Sequence, residues 1–193
     1  MIDIFNDIAP LREEGRVFLE GSMPDKKIGI VMGSDSDLST MQETLDVLDS
    51  FGIKYDVDVV SCHRSPQRAY KYATTTEKKG YKVIIGGAGG AAHLAGVIAS
   101  MTPVPVIGVP MLTHDLGGLD SLYSIVQMPG GVPVAAVGIG KAGAKNAAIL
   151  AIQILSTADK ILKKKIIDYK KKQAEKVIQK DKNVKKLLKK SKQ

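Results

Sequence analysis

Two short segments of this chain carry side chains that can move a proton and grip an anion. Ser61-Cys62-His63-Arg64-Ser65-Pro66 sets an imidazole beside a guanidinium directly after a β-branched run. An imidazole ordinarily titrates at about 6.5, so His63 suits proton exchange near neutral pH. The planar fork of Arg64 suits a phosphate or a carboxylate. The plainer account of the pair is a solvated surface loop. Cys62 makes a poor thiol partner for His63, because adjacent residues on extended backbone point to opposite sides. The second segment, Gly33-Ser34-Asp35-Ser36-Asp37, reads as a small polar turn opening a helix. Backbone N–H groups and the helix dipole favour an anion there. Ser34 adds a hydroxyl, and Asp37 is an acceptor suited to ribose hydroxyls. Capping by Ser36 or Asp37 would account for the same residues without a ligand.

A third segment, Gly86 to Ala92, is nearly free of side-chain bulk. Such a stretch lets a flat ring approach the backbone closely and walls a small pocket. Its Gly87-x-Gly89-x-x-Ala92 spacing formally matches a dinucleotide fingerprint. That fingerprint belongs after a first strand, however, with an acidic residue ending the next one, and here the next strand ends in Val109-Pro110. His93 follows at the start of a helix, either as a second functional group or as a packing residue. Metal binding has little support: there is no HExxH, no CxxC and no pair of histidines at helical spacing, and His114-Asp115 stands isolated. No GxSxG elbow or Walker loop occurs either.

These segments need elements to hold them. Ile28–Met32 reads as a strand before the first turn, and Leu38, Met41, Leu45 and Leu48 follow at helical spacing. Lys54–Val60 is a second strand, and Ser65-Pro66 opens a helix reaching about Lys79. Val83–Ile85 and Val104–Val109 are further strands, with a helix carrying His93, Leu94, Val97 and Ile98 between them. Pro133–Ile139 is a fifth strand and Ala142–Ser156 a helix of small residues. Strands alternating with helices predict an α/β fold, a parallel sheet covered on both faces. Ligands bind at the carboxyl ends of such strands. The three segments should therefore converge on one edge, with Ser121–Pro129 joining from the same subunit or a neighbour.

With 193 residues the chain is long enough for one domain with a real core. The division expected is an expression leader or N-terminal arm over residues 1–22, a single α/β catalytic domain over 23–160, and a lysine-rich helix and tail over 161–193. The Gly21-Ser22 pair before Met23 suggests the first boundary. No apolar run reaches the roughly 18 residues of a membrane span. A lone cysteine fits a reducing, cytoplasmic setting. Net charge is +8, but residues 160–193 hold fifteen lysines against Asp168, Glu175 and Asp181. That segment carries +12, which leaves −4 for the rest. The basicity thus belongs to the tail, whose Ile161, Ile166, Ile167, Tyr169, Ala174, Val177 and Ile178 predict a helix packing one stripe. The plain account of its lysines is a solvated face. Neither a nucleic-acid nor a membrane partner is expected; the tail's lysines are not interleaved with aromatic residues that would stack bases.

Taken together and in order, the motifs resemble the N5-carboxyaminoimidazole ribonucleotide mutase family. Ile30-Val-Met-Gly-Ser-Asp-Ser-Asp37 is similar to its first strand and turn. Val59-Val-Ser-Cys-His-Arg-Ser-Pro66 is similar to its histidine loop, and Val83 through Leu94 to its glycine-rich loop. Asp120–Pro129 and Ile139–Asn146 continue the likeness, which runs from about Lys27 to Lys160. The resemblance implies a three-layer flavodoxin-like fold, a homo-octamer with sites at subunit contacts, and a nucleotide substrate with no metal or organic cofactor. It implies that Ser34 and Asp37 hold the nucleotide, that Arg64 binds its phosphate, and that Ser61, Ala88, Gly89 and Leu94 line the pocket. His63 is then the proton shuttle, with His93 close by. The activity implied moves a carboxyl group from an exocyclic nitrogen to a ring carbon. A sister branch, the aminoimidazole ribonucleotide (AIR) carboxylases, uses free carbon dioxide instead. Cys62 stands where a smaller alanine is common in the family.

Overall fold

The computed structural model describes residues 28–190, so the leader expected over residues 1–22 lies outside the described residues. Among the described residues strands alternate with helices, a 3-10 turn over Asp35–Asp37 precedes the first helix, and two helices follow in succession at the end. The strands and α-helices are β1 (Ile28–Met32), α1 (Leu38–Phe51), β2 (Tyr55–Val59), α2 (Pro66–Thr74), β3 (Val83–Ala88), α3 (Leu94–Ala99), β4 (Val106–Pro110), α4 (Leu119–Val126), β5 (Ala135–Ala136), α5 (Gly140–Ser156) and α6 (Lys160–Lys190). The strands form one sheet in the order β2-β1-β3-β4-β5, and every pairing is parallel. This is the flavodoxin-like winding that the resemblance implies. The connections leaving β1 and β3 run in opposite directions, so a crevice opens between the carboxyl ends of these two strands.

Two apolar layers cover the sheet. On one face Met41, Leu48 and Phe51 of α1 meet Ala144, Ala147, Ala148 and Ala151 of α5 over Ile28, Ile30, Ile85 and Ile107. The alanines bring the two helices close enough for the buried Thr44 hydroxyl to donate to Ala144 O at 2.8 Å. On the other face Ala69 and Tyr72 of α2, Leu94, Ala95 and Ile98 of α3, and Ile125 of α4 pack on Val31, Ile84 and Val106. The short β1, β3 and β4 are buried at every position, as strands covered on both faces must be.

Several boundaries depart from the sequence-based expectation for identifiable reasons. Strand β3 continues through Gly86 and Gly87, because a Cβ at Gly87 would lie 2.6 Å from Met111 Cε and 2.8 Å from Met41 Sδ. These glycines make room for core side chains rather than for a loop. Helix α2 stops at Thr74 instead of about Lys79. There Thr74 and Thr75 turn their hydroxyls back onto the carbonyls of Tyr70 and Lys71, at 2.8 and 2.7 Å. Strand β5 shrinks to Ala135–Ala136, since Pro133 has no N–H to give a ladder.

The tail departs most. Helix α6 runs for 31 residues. Leu162 and Ile166 bury, the Tyr169 ring lies 5.6 Å from Phe51, and Lys165 Nζ donates to Phe51 O at 2.9 Å. From Lys170 to Lys189 every side chain is exposed, so the predicted stripe packs only at Ile166 and Tyr169, with Leu162 the residue left out of that expectation. Ile161, Ile167, Val177 and Ile178 face solvent because no other described element lies against them.

Helix α5 depends on one close approach. A Cβ at Gly143 would fall onto the backbone carbonyl of Gly138, where nothing can give. Gly143→Ala is expected to cost about 3 kcal/mol, seen as a Tm lower by roughly 10 °C in thermal unfolding.

Candidate active site

The carboxyl ends of β2, β1 and β3 lie side by side, and their three loops line one cavity of about 430 Å³. Gly33, Ser34, Ser36 and Asp37 come from the first loop, Ser61, Cys62, His63 and Arg64 from the second, and Ala88, Gly89, Ala91, His93 and Leu94 from the third. All nine candidates from the sequence are therefore brought to one place. Gly33, Ser36, Cys62 and Ala91 join them; all four sit inside motifs whose neighbours carried the argument.

Backbone hydrogen bonds hold the loops together. Gly33 N–H donates to Gly87 O at 3.0 Å, and Val60 N–H to Met32 O at 2.8 Å. Each strand thus carries its neighbour one residue past the sheet before the loops diverge.

The first turn caps itself. Ser34 Oγ accepts from Ser36 N–H at 3.3 Å, and Asp37 Oδ2 accepts from Ser34 N–H at 3.2 Å. This reciprocal box makes Ser34 the capping residue, where the sequence suggested Ser36 or Asp37. Two of the N–H groups a phosphate would use are occupied by the turn's own side chains. Burial pushes the Asp37 carboxyl above its ordinary range, opposed by the backbone N–H bond from Ser34. The turn therefore offers hydroxyl and carboxylate oxygens rather than an empty anion cradle.

The histidine loop is organised by Ser61. Its Oγ accepts from Arg64 N–H at 3.2 Å and from Arg64 Nε at 3.3 Å. Its carbonyl accepts from Ser65 Oγ at 2.8 Å. Ser61 thereby fixes the guanidinium at the rim while leaving its terminal nitrogens for an anion. Pro66 occupies the first turn of α2 as expected, but Ser65 makes no side-chain cap and instead ties back to Ser61.

The third loop leaves the sheet at Gly89 and turns at Gly90, whose φ is +66°. It is held from outside the cavity: Gly90 N–H donates to Ser121 Oγ at 3.1 Å, and Ser124 Oγ donates to Gly90 O at 3.4 Å. The segment Ser121–Pro129 thus joins from the same chain, bracing the loop without lining the cavity. Sequence reasoning missed this role, although the two serines stand one turn apart on α4. His93 immediately precedes α3 and makes no side-chain cap. Its Nδ1 lies 2.8 Å from His63 Nε2, with the rings edge to face at 79° and centroids 4.8 Å apart. His114 does not line this cavity; its Nδ1 lies 3.2 Å from Oδ1 of the adjacent Asp115. Among the described residues, no group of three or more His, Cys, Asp or Glu is placed to hold a metal ion.

A model of the AIR carboxylase family matches residues 27–176. The chain belongs to that family. It is 52% identical over 153 residues to the N5-carboxyaminoimidazole ribonucleotide mutase of Escherichia coli, a match covering 79% of this chain and 90% of the relative. It is 57% identical over 143 residues to the mutase of Pyrococcus abyssi, covering 74% and 81% of the two chains. In three dimensions it is similar to the crystal structure of Treponema denticola PurE, with a TM-score of 0.74 at 28% identity, covering 82% of this chain and 98% of that one. The family match includes all three loops and ends seven residues past Tyr169, the last half-buried residue of α6.

Cys62 completes the cavity wall. Burial pushes its thiol above the ordinary range, which disfavours the thiolate, the reactive form. Its alkylation by iodoacetamide at pH 7.5 is expected to be slower than that of free cysteine, with the gap narrowing as pH rises. Equal rates at pH 7.5 would show a thiolate that the site does not suppress.

Proposed function

We propose that this chain is a mutase that converts N5-carboxyaminoimidazole ribonucleotide to 4-carboxy-5-aminoimidazole ribonucleotide in purine biosynthesis. The observation that carries this reading is the single cavity in which Arg64, His63 and the bare Gly89 wall face one another in a chain of this family. The relatives named for the mutase, at 52–57% identity, favour it over the use of free carbon dioxide. The finer expectations from the sequence, a homo-octamer working in the cytoplasm, belong to the same proposal.

Arg64 binds the substrate phosphate at the rim, and Ser34 and Asp37 hold the ribose. This places the aminoimidazole against Ala88, Gly89 and Leu94. His63, as imidazolium, gives a proton to the carbamate nitrogen. The N–C bond breaks, its electron pair stays on nitrogen, and carbon dioxide is released into the cavity. The electron-rich ring carbon then attacks it, forming the C–C bond. His63 takes the proton from that carbon and the ring regains aromaticity. One proton is lent and returned, so no external acid, base or oxidant is consumed. An imidazole suits both steps because its two protonation states are nearly balanced near neutral pH. Keeping two fragments in one small cavity supplies much of the acceleration.

In a bicarbonate-free assay starting from the N-carboxylated nucleotide, rapid formation of the C-carboxylated isomer is expected. Conversion only from aminoimidazole ribonucleotide plus carbon dioxide would assign the carboxylase activity instead. His63→Asn is expected to lower kcat by about 10²-fold or more while KM changes little. Arg64→Ala is expected to raise KM by about tenfold, with a smaller change in kcat.

A further inference from the structure

Helix α6 leaves the body on the side away from the main cavity. Its Tyr169 ring meets Phe51, the last residue of α1, and its Leu162 lines a small cavity with Gly52, Ile53 and Lys54, which lead into β2. Those are the amino ends of the strands, whereas the main cavity opens at the carboxyl ends. Beyond the body, every side chain from Lys170 to Lys189 is exposed. At about 1.5 Å per residue this stretch is about 30 Å long. It holds nine lysines against Glu175 and Asp181, a net charge of +7. The family match ends at residue 176, so residues 177–190 of α6 lie outside it.

The lysines point to all sides. The line of residues that packs on the body, Leu162, Ile166 and Tyr169, continues at steps of three and four through Gln173, Val177, Lys180, Val184 and Leu187. At about 100° per residue, Lys170 and Lys185 fall to one side of this line and Lys172 and Lys176 to the other. Lys171, Lys182 and Lys189 fall opposite it. Lys185 pairs with Asp181 at 2.7 Å.

This distribution selects among anionic partners. A bilayer is flat, and a basic amphipathic helix lies on it along its apolar line. Here that line faces the body at Leu162 and Ile166, so a flat surface laid along its continuation would run into the body. A second α6 would set +7 against +7. The major groove of duplex DNA meets neither obstacle. About 12 Å wide, it admits a helix about 10–12 Å across and offers phosphates on both walls. Lysines on both flanks of the helix then meet both walls. Interleaved aromatic side chains, whose want in the tail argued from sequence against a nucleic-acid partner, serve bases splayed from a single strand. A duplex keeps its bases stacked and presents phosphates instead.

We infer that the projecting half of α6 binds duplex DNA through its phosphates and leaves the main cavity open. Lysine is a point charge without the planar fork of arginine, and no arginine occurs from Lys160 onward. Bidentate reading of base edges is therefore unavailable, and binding is independent of sequence. Each phosphate neutralised releases condensed counterions, so affinity falls steeply with salt.

The test uses the full-length protein and a fluorescein-labelled DNA duplex of about 20 base pairs, followed by fluorescence anisotropy as KCl rises from about 25 to about 100 mM. A Kd of about 10 µM or tighter at the lowest salt is expected, with a log–log salt slope of about −4 or steeper. A second duplex of unrelated sequence should bind within about threefold of the first. Lys171, Lys172, Lys176, Lys182 and Lys189 replaced together by Gln, which keeps helix propensity, are expected to weaken binding by about thirtyfold or more and to flatten the slope. Arg at the same five positions should bind at least as tightly as Lys. The slope of the unaltered protein decides the matter even where the Gln variant loses helix content by circular dichroism. A slope shallower than about −2, or no binding tighter than about 100 µM at the lowest salt, would overturn the inference. Full affinity in a helical Gln variant would place the contact elsewhere and overturn it too. Tighter binding to phosphatidylserine vesicles would assign α6 to a lipid surface, and tighter binding to poly(dT) would assign it to single strands; either result overturns the duplex. Saturating duplex should change the rate of isomer formation by less than about twofold, and inhibition would put the DNA over the cavity instead of on α6. The binding measurements stand whether or not the mutase reading does.

Discussion

Strand β1 is hydrogen-bonded along its whole length on both edges, in register with β2 through Met32↔Val59 and with β3 through Met32↔Gly87. The site depends on that double ladder. Because all three strands run the same way and end at the same level, the loops that leave them start within one strand spacing of each other. Had any of the three run antiparallel, its loop would have opened at the opposite edge. The side chains need no long reach: Ser34, His63 and Gly89 are brought together by backbone pairing that buries five of five residues in β1.

That constraint explains why so much of the site was legible before any coordinates. The alternation of apolar runs with helical spacing identifies the sheet as parallel, and a parallel sheet fixes which ends of the strands face a ligand. That rule applied to three unusual loops singled out Ser34, Asp37, His63, Arg64 and His93 as their polar groups; Ser61, Ala88, Gly89 and Leu94 entered as individual pocket residues only through the resemblance. The resemblance then supplied roles that residue types alone left open, as with His93. What stayed hidden is contact that sequence distance does not encode. The resemblance implied only that His93 lies close to His63; the 2.8 Å contact between their ring nitrogens joins residues 30 apart in the chain. The serine brace on Gly90 joins residues 31 and 34 apart. Helix spacing also misled at the tail: the pattern that packs Ile166 continues past Tyr169, where no described residue covers it. Amphipathic periodicity states what a helix is able to bury, and the length of the neighbouring elements decides how much of it is buried.

Glycine plays two opposite parts within one run of the sequence. Gly86 and Gly87 belong to the buried strand, where the absent side chain of Gly87 admits Met41 and Met111. Gly89 and Gly90 belong to the exposed loop, where a bare backbone forms the cavity wall and a positive φ turns the chain. The boundary falls at Ala88, the last strand residue and the first of the run to touch the cavity. A composition that reads as a single flexible loop is thus half core and half wall, and the core half holds the wall in place.

Every residue lining the main cavity lies between Gly33 and Leu94. The helix that covers the far side of those strands, α5, does not begin until Gly140. A chain emerging from the ribosome amino end first would present all the groups of the cavity some fifty residues before the layer that seals their sheet. Over that interval Met41, Leu48 and Phe51 have no alanine face to close against. The order of synthesis therefore separates having the reactive groups from having them rigid, and leaves the latter to the final third of the chain.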